Sequence, residues 1–576
     1  MNQKLENILN VSLDATEDEL RKADSLSTGY NWRDNTWEII VKYSGSLESI
    51  RNRYNVYIKE LLNYYAIIVA DKATIEIISQ EDVIDYVEKP KSLYYQIERT
   101  KTAACVGSVR ADGNILSGKG VIVGVIDTGI DIFDNAFRNS DGTTRILNIY
   151  DQTTGEKYDK QSIDEYIRLN EDLSGGTFSY DNAPGVDNIM HGTDVSYIAA
   201  GSLGVAYEAD IIAVKMGYSI NNQFPRTTSL MDAIDYIIRK AIEYRKPVAV
   251  NISYGCNYGA HNGNTLLESF IDDISKSYRC VICVGSGNEA DKAIHFGGII
   301  NTGQVQTAYL SVGEYQSAID IQIWKNYWDT IDVMLINPRG EQIGIITEGR
   351  INRYETYNTE IITLLGEPSP YNIYQEIYIN LIPKTDYILS GIWQIVLMAG
   401  SIRAGEYNIW LPSSQALGYA TAFNNPTADG TITIPATARN CIAVGAYNAY
   451  TNSYAAFSGR GFDNSIRNVN AGVKPDITAP GVDISIARQR GNDITYRNVT
   501  GTSYAVPVVT GAAALLMQWG IVMGNDRFMY GEKLKAALID GSKPVGLVGI
   551  TRNDNQPDPR TGWGAVCLKN TLNKIL

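Results

Sequence analysis

VIVGVID at 121–127 is an unbroken apolar run that ends in an acid. Alternation with polar residues would mark a half-exposed strand. A continuous run of this length predicts a strand buried on both faces, as in a parallel sheet covered by helices on each side. Similar runs recur at ADIIAVKM (209–216), KPVAVNISYG (246–255), RCVICVGSGN (279–288) and NCIAVGAYN (440–448). Between them lie stretches with helical spacing, SLMDAIDYIIRKAIEYR (229–245) and TLLESFIDDISKSY (265–278). Strands alternating with helices predict a doubly wound α/β sheet, whose active sites gather at the carboxyl ends of the strands.

The alternation stops after Asn288. From about 293 to 430 the pattern turns to short strand-like segments punctuated by Gly and Pro, among them YLSVGEY, IDIQIW, DVMLINP, WQIVLMAG and EYNIWLP. This reads as a β-sandwich inserted into a loop of the larger domain, which resumes at ITIPATARNCIAVGAYN. Upstream, residues 1–36 read as helical and polar. From Thr36 the segments read as strand (TWEIIVKY), helix (SLESIRNRY), strand (NYYAIIVA), helix (KATIEIISQ) and DVIDYVEK, taken as a strand–helix–strand–strand–helix–strand order. That order predicts a small ferredoxin-like α+β unit, followed by an extended linker in KSLYYQIERT. The expected organisation is 1–96, 97–292, 293–430 for the insertion and 431–576.

The chain has 576 residues, a net charge of −14, 44% hydrophobic and 20% charged residues. That is a globular composition, and the negative balance argues against a nucleic-acid surface, which needs Lys and Arg to neutralise phosphates. The N-terminal MNQKLENILNVSLDATEDEL holds no run resembling a signal peptide, and no stretch was expected to reach the roughly 20 apolar residues of a membrane span. A cytoplasmic or spore-associated location is the expectation. Six cysteines, Cys105, Cys256, Cys280, Cys283, Cys441 and Cys567, are scattered. Buried free thiols are expected, with Cys280 and Cys283 too far from other ligands to make a zinc site.

Histidine is scarce: His191, His261 and His295. His191 opens HGTDVSYIAAG; the other two lie in a Gly/Asn-rich loop and at the insertion's edge. Asp127 ends its strand and is followed by Thr-Gly, a position from which a carboxylate can hold an imidazole tautomer, though DTG is also an ordinary turn. Ser503, in VTGTSYAVPVVTGAAALLMQW, starts an Ala- and Leu-rich helix. Alone it reads as an N-cap.

Together the segments Asp127-Thr128-Gly129, His191-Gly192-Thr193 and Gly501-Thr502-Ser503-Tyr504-Ala505-Val506-Pro507 resemble the motifs of the subtilisin-like serine proteases, in that family's order. Phe457-Ser458, Arg460-Gly461, Lys474-Pro475-Asp476-Ile477 and Ala479-Pro480-Gly481-Val482 add to the likeness, which covers about 100–290 and 430–570. It implies a subtilisin-like fold and an Asp-His-Ser triad of Asp127, His191 and Ser503. It implies Asn288, in Gly285-Ser286-Gly287-Asn288-Glu289, as oxyanion donor. Ser253, Tyr254 and Gly255 would pair with an extended peptide, Gly285 would also bind substrate, and Glu289 would line the specificity pocket and favour a polar or cationic residue before the scissile bond. Two positions depart from the family pattern. Asp194 stands where a second histidine is common, and Tyr504 where methionine is usual. No calcium loop is recognisable, so no metal and no cofactor is expected.

The N-terminal unit resembles the family's propeptide, with self-cleavage expected between Gln96 and Ile97 and the propeptide retained in the groove. The whole layout resembles the Csp germination proteases of clostridial spore formers. In that group the insertion is a jelly roll and the substrate a cortex-lytic proenzyme. Two other readings stay open: a catalytically silent scaffold or sensor, and a peptidase of general turnover.

Overall fold

The computed structural model describes residues 4–17, 20, 29–54, 56–61, 64–89, 103–106, 110–111, 114–172, 177–178, 180, 182–219, 222–346, 351–367, 372–462, 473–490, 493–546 and 557–576. The chain divides into two units, Met1–Tyr95 and Gln96–Leu576.

In the first unit, helix α1 (Asn7–Asp14) precedes β1 (Thr36–Tyr43), α2 (Glu48–Tyr54), β2 (Tyr57–Leu61), β3 (Tyr65–Ala70), α3 (Lys72–Ile78) and β4 (Ile84–Glu88). β1 pairs antiparallel with β3 and β4, and β3 with β2, giving the order β4-β1-β3-β2. This is the ferredoxin-like arrangement. β1 buries Trp37, Ile39, Val41 and Tyr43 on one face, the period of two that TWEIIVKY carries. The expectation of a polar start is corrected: Leu5, Leu9 and Leu13 are buried in the core of this unit, at the four-residue spacing that builds one apolar helix face.

The second unit is built on a parallel sheet. Its strands in chain order are β5 (Ile122–Asp127), β6 (Ile146–Asp151), β7 (Asp210–Lys215), β8 (Val248–Ile252) and β9 (Cys280–Gly285). The insertion supplies β10 to β20, between His295–Ile299 and Ala422–Phe423. The sheet then resumes with β21 (Ile442–Asn448) and β22 (Ile477–Pro480). The parallel strands of this nine-stranded sheet are ordered β6-β7-β5-β8-β9-β21-β22, and the short segments Glu156–Asp159 and Ser453–Tyr454 add antiparallel to β6 and β21. β5 shows why its sequence is apolar throughout. Val121, Val123 and Val125 enter the core on one face, and Ile122 and Ile126 enter the core on the other. The chain leaves β5 toward β6 and β7 and returns on the opposite side at β8. Asp127 and Ser253 therefore stand at the carboxyl ends of adjacent strands, where the winding reverses.

Helix α4 (His191–Ala200) and helix α7 (Thr502–Met517) cover one face; α5 (Thr227–Tyr244) and α6 (Leu266–Ser277) cover the other. Before α7 comes a hairpin of β23 (Ile484–Arg490) and β24 (Asp493–Val499); α8 (Gly531–Asp540) and α9 (Leu568–Ile575) follow it. Against expectation, the segment Thr502–Val522 is long and apolar enough to cross a membrane. It is the buried central helix of this unit.

The insertion is two antiparallel sheets. One is ordered from His295–Ile299 through Glu406–Trp410, Ile319–Asn326, Tyr374–Pro383 and Thr359–Leu365 to Ile351–Glu355. The other runs from Gln342–Ile345 through Ile331–Ile336, Gly391–Ala399 and Val305–Val312 to Ala422–Phe423. Alternate residues of both, such as Ile321, Ile323, Ile379 and Leu335, Ile395, Leu397, share one core.

The cysteine expectation is corrected for one pair. Cys105 and Cys567 form a disulfide across a separation of 462 residues; Cys256, Cys280, Cys283 and Cys441 are free thiols. Sequence spacing carries no information about a pair this remote. Desolvation pushes the Cys280 and Cys283 thiols up to about 12, so they are inert.

Candidate active site

Asp127 is 1% exposed. Its Oδ1 lies 2.7 Å from His191 Nδ1 and accepts from the Thr128 backbone N–H at 2.8 Å. This pairing leaves His191 Nε2 as the ring nitrogen available to a nucleophile. Burial lowers the affinity of the imidazole for a proton, but the charge of Asp127 and its hydrogen bond outweigh it. The His191 pKa stands above its ordinary value.

The start of α4 is organised by a residue the sequence reading missed. Asp187 Oδ1 accepts from the Met190 backbone N–H at 2.7 Å and from Thr128 Oγ1 at 2.8 Å. Its Oδ2 accepts from Thr193 N–H and hydroxyl at 2.8 and 2.7 Å. A carboxylate at a helix N-terminus satisfies orphan donors and matches the dipole. Its position four residues before His191 was the available signal. Gly192 is required by close approach: a Cβ there would stand 2.3 Å from the Gly129 carbonyl oxygen and 2.9 Å from Asp127 Cβ. The glycine thus lets the helix bring His191 down onto the strand end.

Every residue of α7 is buried except Ser503. The N-cap reading of Ser503 is corrected: Gly501 is the cap, and Ser503, in the first turn, is the one residue of this helix left part-exposed. Pro507 lies inside this helix. With no N–H it cannot bond the carbonyl four residues back, which is that of Ser503. Ser253 takes that place: its hydroxyl donates to the Ser503 carbonyl oxygen at 3.4 Å. Ser253 Oγ in turn accepts from Asn251 Nδ2 at 3.0 Å, and Asn251 Oδ1 accepts from Thr510 on α7 at 3.1 Å. The end of β8 and the first turns of α7 are thereby tied together.

Asn288 lies just beyond β9. Its Oδ1 accepts from the Thr502 backbone N–H at 3.0 Å and from the Thr502 hydroxyl at 3.1 Å. That fixes the orientation of the carboxamide and leaves Nδ2, which has no partner among the described residues, as a donor beside Gly501. A Cβ on Gly501 would stand 3.6 Å from that nitrogen. Gly285, the last residue of β9, gives α7 room: a Cβ there would lie 3.3 Å from Thr502 Oγ1.

Tyr254 and Gly255 line a cavity of about 410 Å³ with Met216, Leu230, Leu267 and Ile434. Ser413, Gln415 and Ala416, at the insertion's exit, close its wall. Glu289 is not among its lining residues. Its carboxylate accepts from the Ser414 backbone N–H at 3.1 Å and from the Ser414 hydroxyl at 3.2 Å, facing the exit of the insertion. Burial holds its pKa above the ordinary value. Gln96 and Ile97 lie outside the described residues. His261 and His295 are not in this site: both stack on Trp410, at 4.1 and 4.9 Å between ring centres. Among the described residues no group of three or more His, Cys, Asp or Glu side chains is arranged to hold a metal ion.

The Subtilase family model matches residues 118–368 and 404–564, well over half the chain, and the Csp protease B prodomain model matches 3–91. The Clostridium perfringens CspB protease structure superposes with a TM-score of 0.74 at 34% identity, covering 82% of this chain and 96% of that one. Among curated proteins, the subtilase-type proteinase RRT12 of Saccharomyces cerevisiae is 33% identical over 22% of this chain, and subtilisin-like protease 10 of Arthroderma otae 34% identical over 21%. The matched stretches span only 23% and 27% of those two relatives. With two family models placed end to end over its two units, the chain belongs to the subtilase family, the subtilisin-type serine proteases, and carries a CspB-type prodomain.

Proposed function

We propose that this chain is a serine endopeptidase working through Asp127, His191 and Ser503. The observation that carries the reading is the partial exposure of Ser503 alone on an otherwise buried helix, combined with the 2.7 Å pairing of His191 and Asp127. Ser503 Oγ attacks the peptide carbonyl carbon as His191 Nε2 takes its proton. Asp127 holds the tautomer and stabilises the imidazolium. The oxyanion receives hydrogen bonds from Asn288 Nδ2 and the Ser503 backbone N–H. Collapse breaks the C–N bond, His191 returns the proton to the leaving amine, and water then releases the acyl group by the same steps in reverse.

The substrate is an extended peptide that adds as a strand along Ser253–Gly255, with an apolar side chain in the cavity beside Tyr254. The first peptide cut is the chain's own, between Gln96 and Ile97, and the N-terminal unit stays in the groove as an inhibitor. The physiological substrate we assign, on the likeness to the CspB protease, is a cortex-lytic proenzyme cut during spore germination. The disulfide favours a spore-associated over a cytoplasmic location, since cytosolic thiols are kept reduced. A serine-directed fluorophosphonate tests the chemistry. Labelling of Ser503 that disappears in His191→Ala supports it; an unlabelled folded chain contradicts it and favours a silent scaffold.

A further inference from the structure

The cavity beside Tyr254 has walls of two origins. Met216, Leu230 and Leu267 come from the end of β7, from α5 and from α6, whereas Ser413, Gln415 and Ala416 come from the inserted sandwich. The second wall is a single 3-10 turn, Ser414–Ala416, with no side-chain cap at its start. Gln415 and Ala416 are exposed. A turn this short has few bonds of its own, so its place depends on what grips it.

Glu289 grips it. The residue is 7% exposed, and each carboxylate oxygen bonds Ser414: Oε2 accepts from the backbone N–H at 3.1 Å and Oε1 from the hydroxyl at 3.2 Å. A carboxylate tolerates burial where its oxygens are hydrogen-bonded, so the turn and the residue after Asn288 hold each other in place. The loop after Gly255 is bound to the sandwich as well. Asn257 Nδ2 donates to the Leu411 carbonyl at 3.3 Å, the Tyr258 hydroxyl to Asp320 Oδ1 at 3.3 Å, and the Gly259 N–H to Gln322 Oε1 at 2.8 Å. The insertion is thus fixed on both sides of the cavity, to the segment that follows Ser253–Gly255 and to the segment that follows Asn288.

We propose that the Ser413–Ala416 turn is the specificity-determining wall of this cavity, shaping it for a large apolar side chain of the bound peptide, and that Glu289 is the residue that positions the wall. This rests on the proteolytic reading above and names the side-chain class the site takes. The opposite wall of Met216, Leu230 and Leu267 favours Leu, Phe or Tyr over a small or charged side chain. Leu93, Tyr94 and Tyr95, directly before the cut assigned at Gln96, are of that class.

The test is kcat/KM of the full-length protein on quenched peptides varied one position at a time among Ala, Leu, Phe and Tyr. The quantity read is the ratio of large apolar side chain to alanine, because general damage to the site lowers both peptides and leaves the ratio alone. Wild type should show a ratio of at least about tenfold at one position. Ala416→Trp, at an exposed position that fills the cavity from the insertion, should bring it to about one. Glu289→Ala should lower it about fivefold, the scale of one hydrogen bond, and Glu289→Gln, which keeps an acceptor for Ser414, should restore part. Should Glu289→Ala fail to fold, Ser414→Pro should lower the ratio in its place: it removes both donors and suits the first residue of a helical turn. Thr227→Trp fills the same cavity from the start of α5. A ratio lost in Thr227→Trp and kept in Ala416→Trp overturns the proposal alone. A wild-type ratio in both overturns the seating of a side chain in this cavity, and the proposal with it. If the N-terminal unit keeps peptides out, the extent of self-cleavage in Leu93→Ala, Tyr94→Ala and Tyr95→Ala reads the same preference: one of them should process less, and Ala416→Trp should remove the difference. A wild-type chain that cuts neither peptides nor itself overturns the proteolytic reading on which the proposal stands.

Discussion

Replacing Asp127 by Asn should remove a charge while leaving the imidazole tautomer in place. Asp127 Oδ1 accepts from both the Thr128 N–H and His191 Nδ1, whereas Oδ2 is buried with no partner among the described residues. An asparagine that keeps its oxygen at the first position satisfies both donors. The flipped amide would turn its NH2 against the Thr128 N–H. The variant should therefore keep His191 protonated at Nδ1 and lose only the stabilisation of the imidazolium. At about 4 Å between charge centres and an effective dielectric constant of about 20, that interaction is about 4 kcal/mol. At 1.36 kcal/mol per decade this predicts a loss of about 10³ in the rate of Ser503 labelling. Where the tautomer is lost as well, a triad loses about 10⁴. Because Asp127 is what raises the His191 pKa, the acid limb should move to lower pH. The assay is the second-order rate of fluorophosphonate labelling from pH 5 to 9. A loss under tenfold, or a limb that stays or moves up, refutes the assignment of Asp127.

Asn288→Asp keeps the acceptor for Thr502 and replaces only the Nδ2 donor; peptide hydrolysis should fall at least 10²-fold, with the melting temperature little changed. Asp134 is buried, its Oδ2 has no partner among the described residues, and burial pushes its pKa up to about 6. A carboxyl whose folded pKa is raised favours the folded state below its unfolded pKa, near 3.8, and costs stability as pH climbs to about 6. Asp134→Asn should then stabilise the chain by up to about 3 kcal/mol at pH 7 and by little at pH 4, as read by urea titration at both. Cys105→Ser should lower stability by about 2–5 kcal/mol, and a reductant should do the same to the wild type but not to the variant. Gly192→Ala, with its Cβ 2.3 Å from a carbonyl oxygen, should destabilise by about 1–3 kcal/mol and displace His191, seen as a labelling rate that falls more than the melting temperature explains.

Much of this architecture is legible in local patterns. VIVGVID is apolar because its valines and isoleucines serve opposite cores, and TWEIIVKY alternates because one face of its sheet is covered. The three motif segments were likewise readable, since each depends on residues adjacent in sequence. What stayed hidden is what joins remote segments. Arg497 and Asp194 are 303 residues apart, and Cys105 and Cys567 are 462 apart. No periodicity or motif encodes such pairs. The role of Ser253 toward the Ser503 carbonyl follows from Pro507, and that link needs the strand and the helix to be seen side by side. The bonds of Glu289 to Ser414 were hidden for the same reason, since 125 residues separate the two.

The central claim is that Ser503 is a nucleophile activated by His191. Intact-mass measurement after fluorophosphonate treatment, with the adduct mapped by peptide sequencing, tests it most directly. One adduct per folded chain, on Ser503, absent in both Ser503→Ala and His191→Ala, is the predicted result. No adduct on the folded wild-type chain, or one that persists in His191→Ala at the wild-type rate, would contradict it.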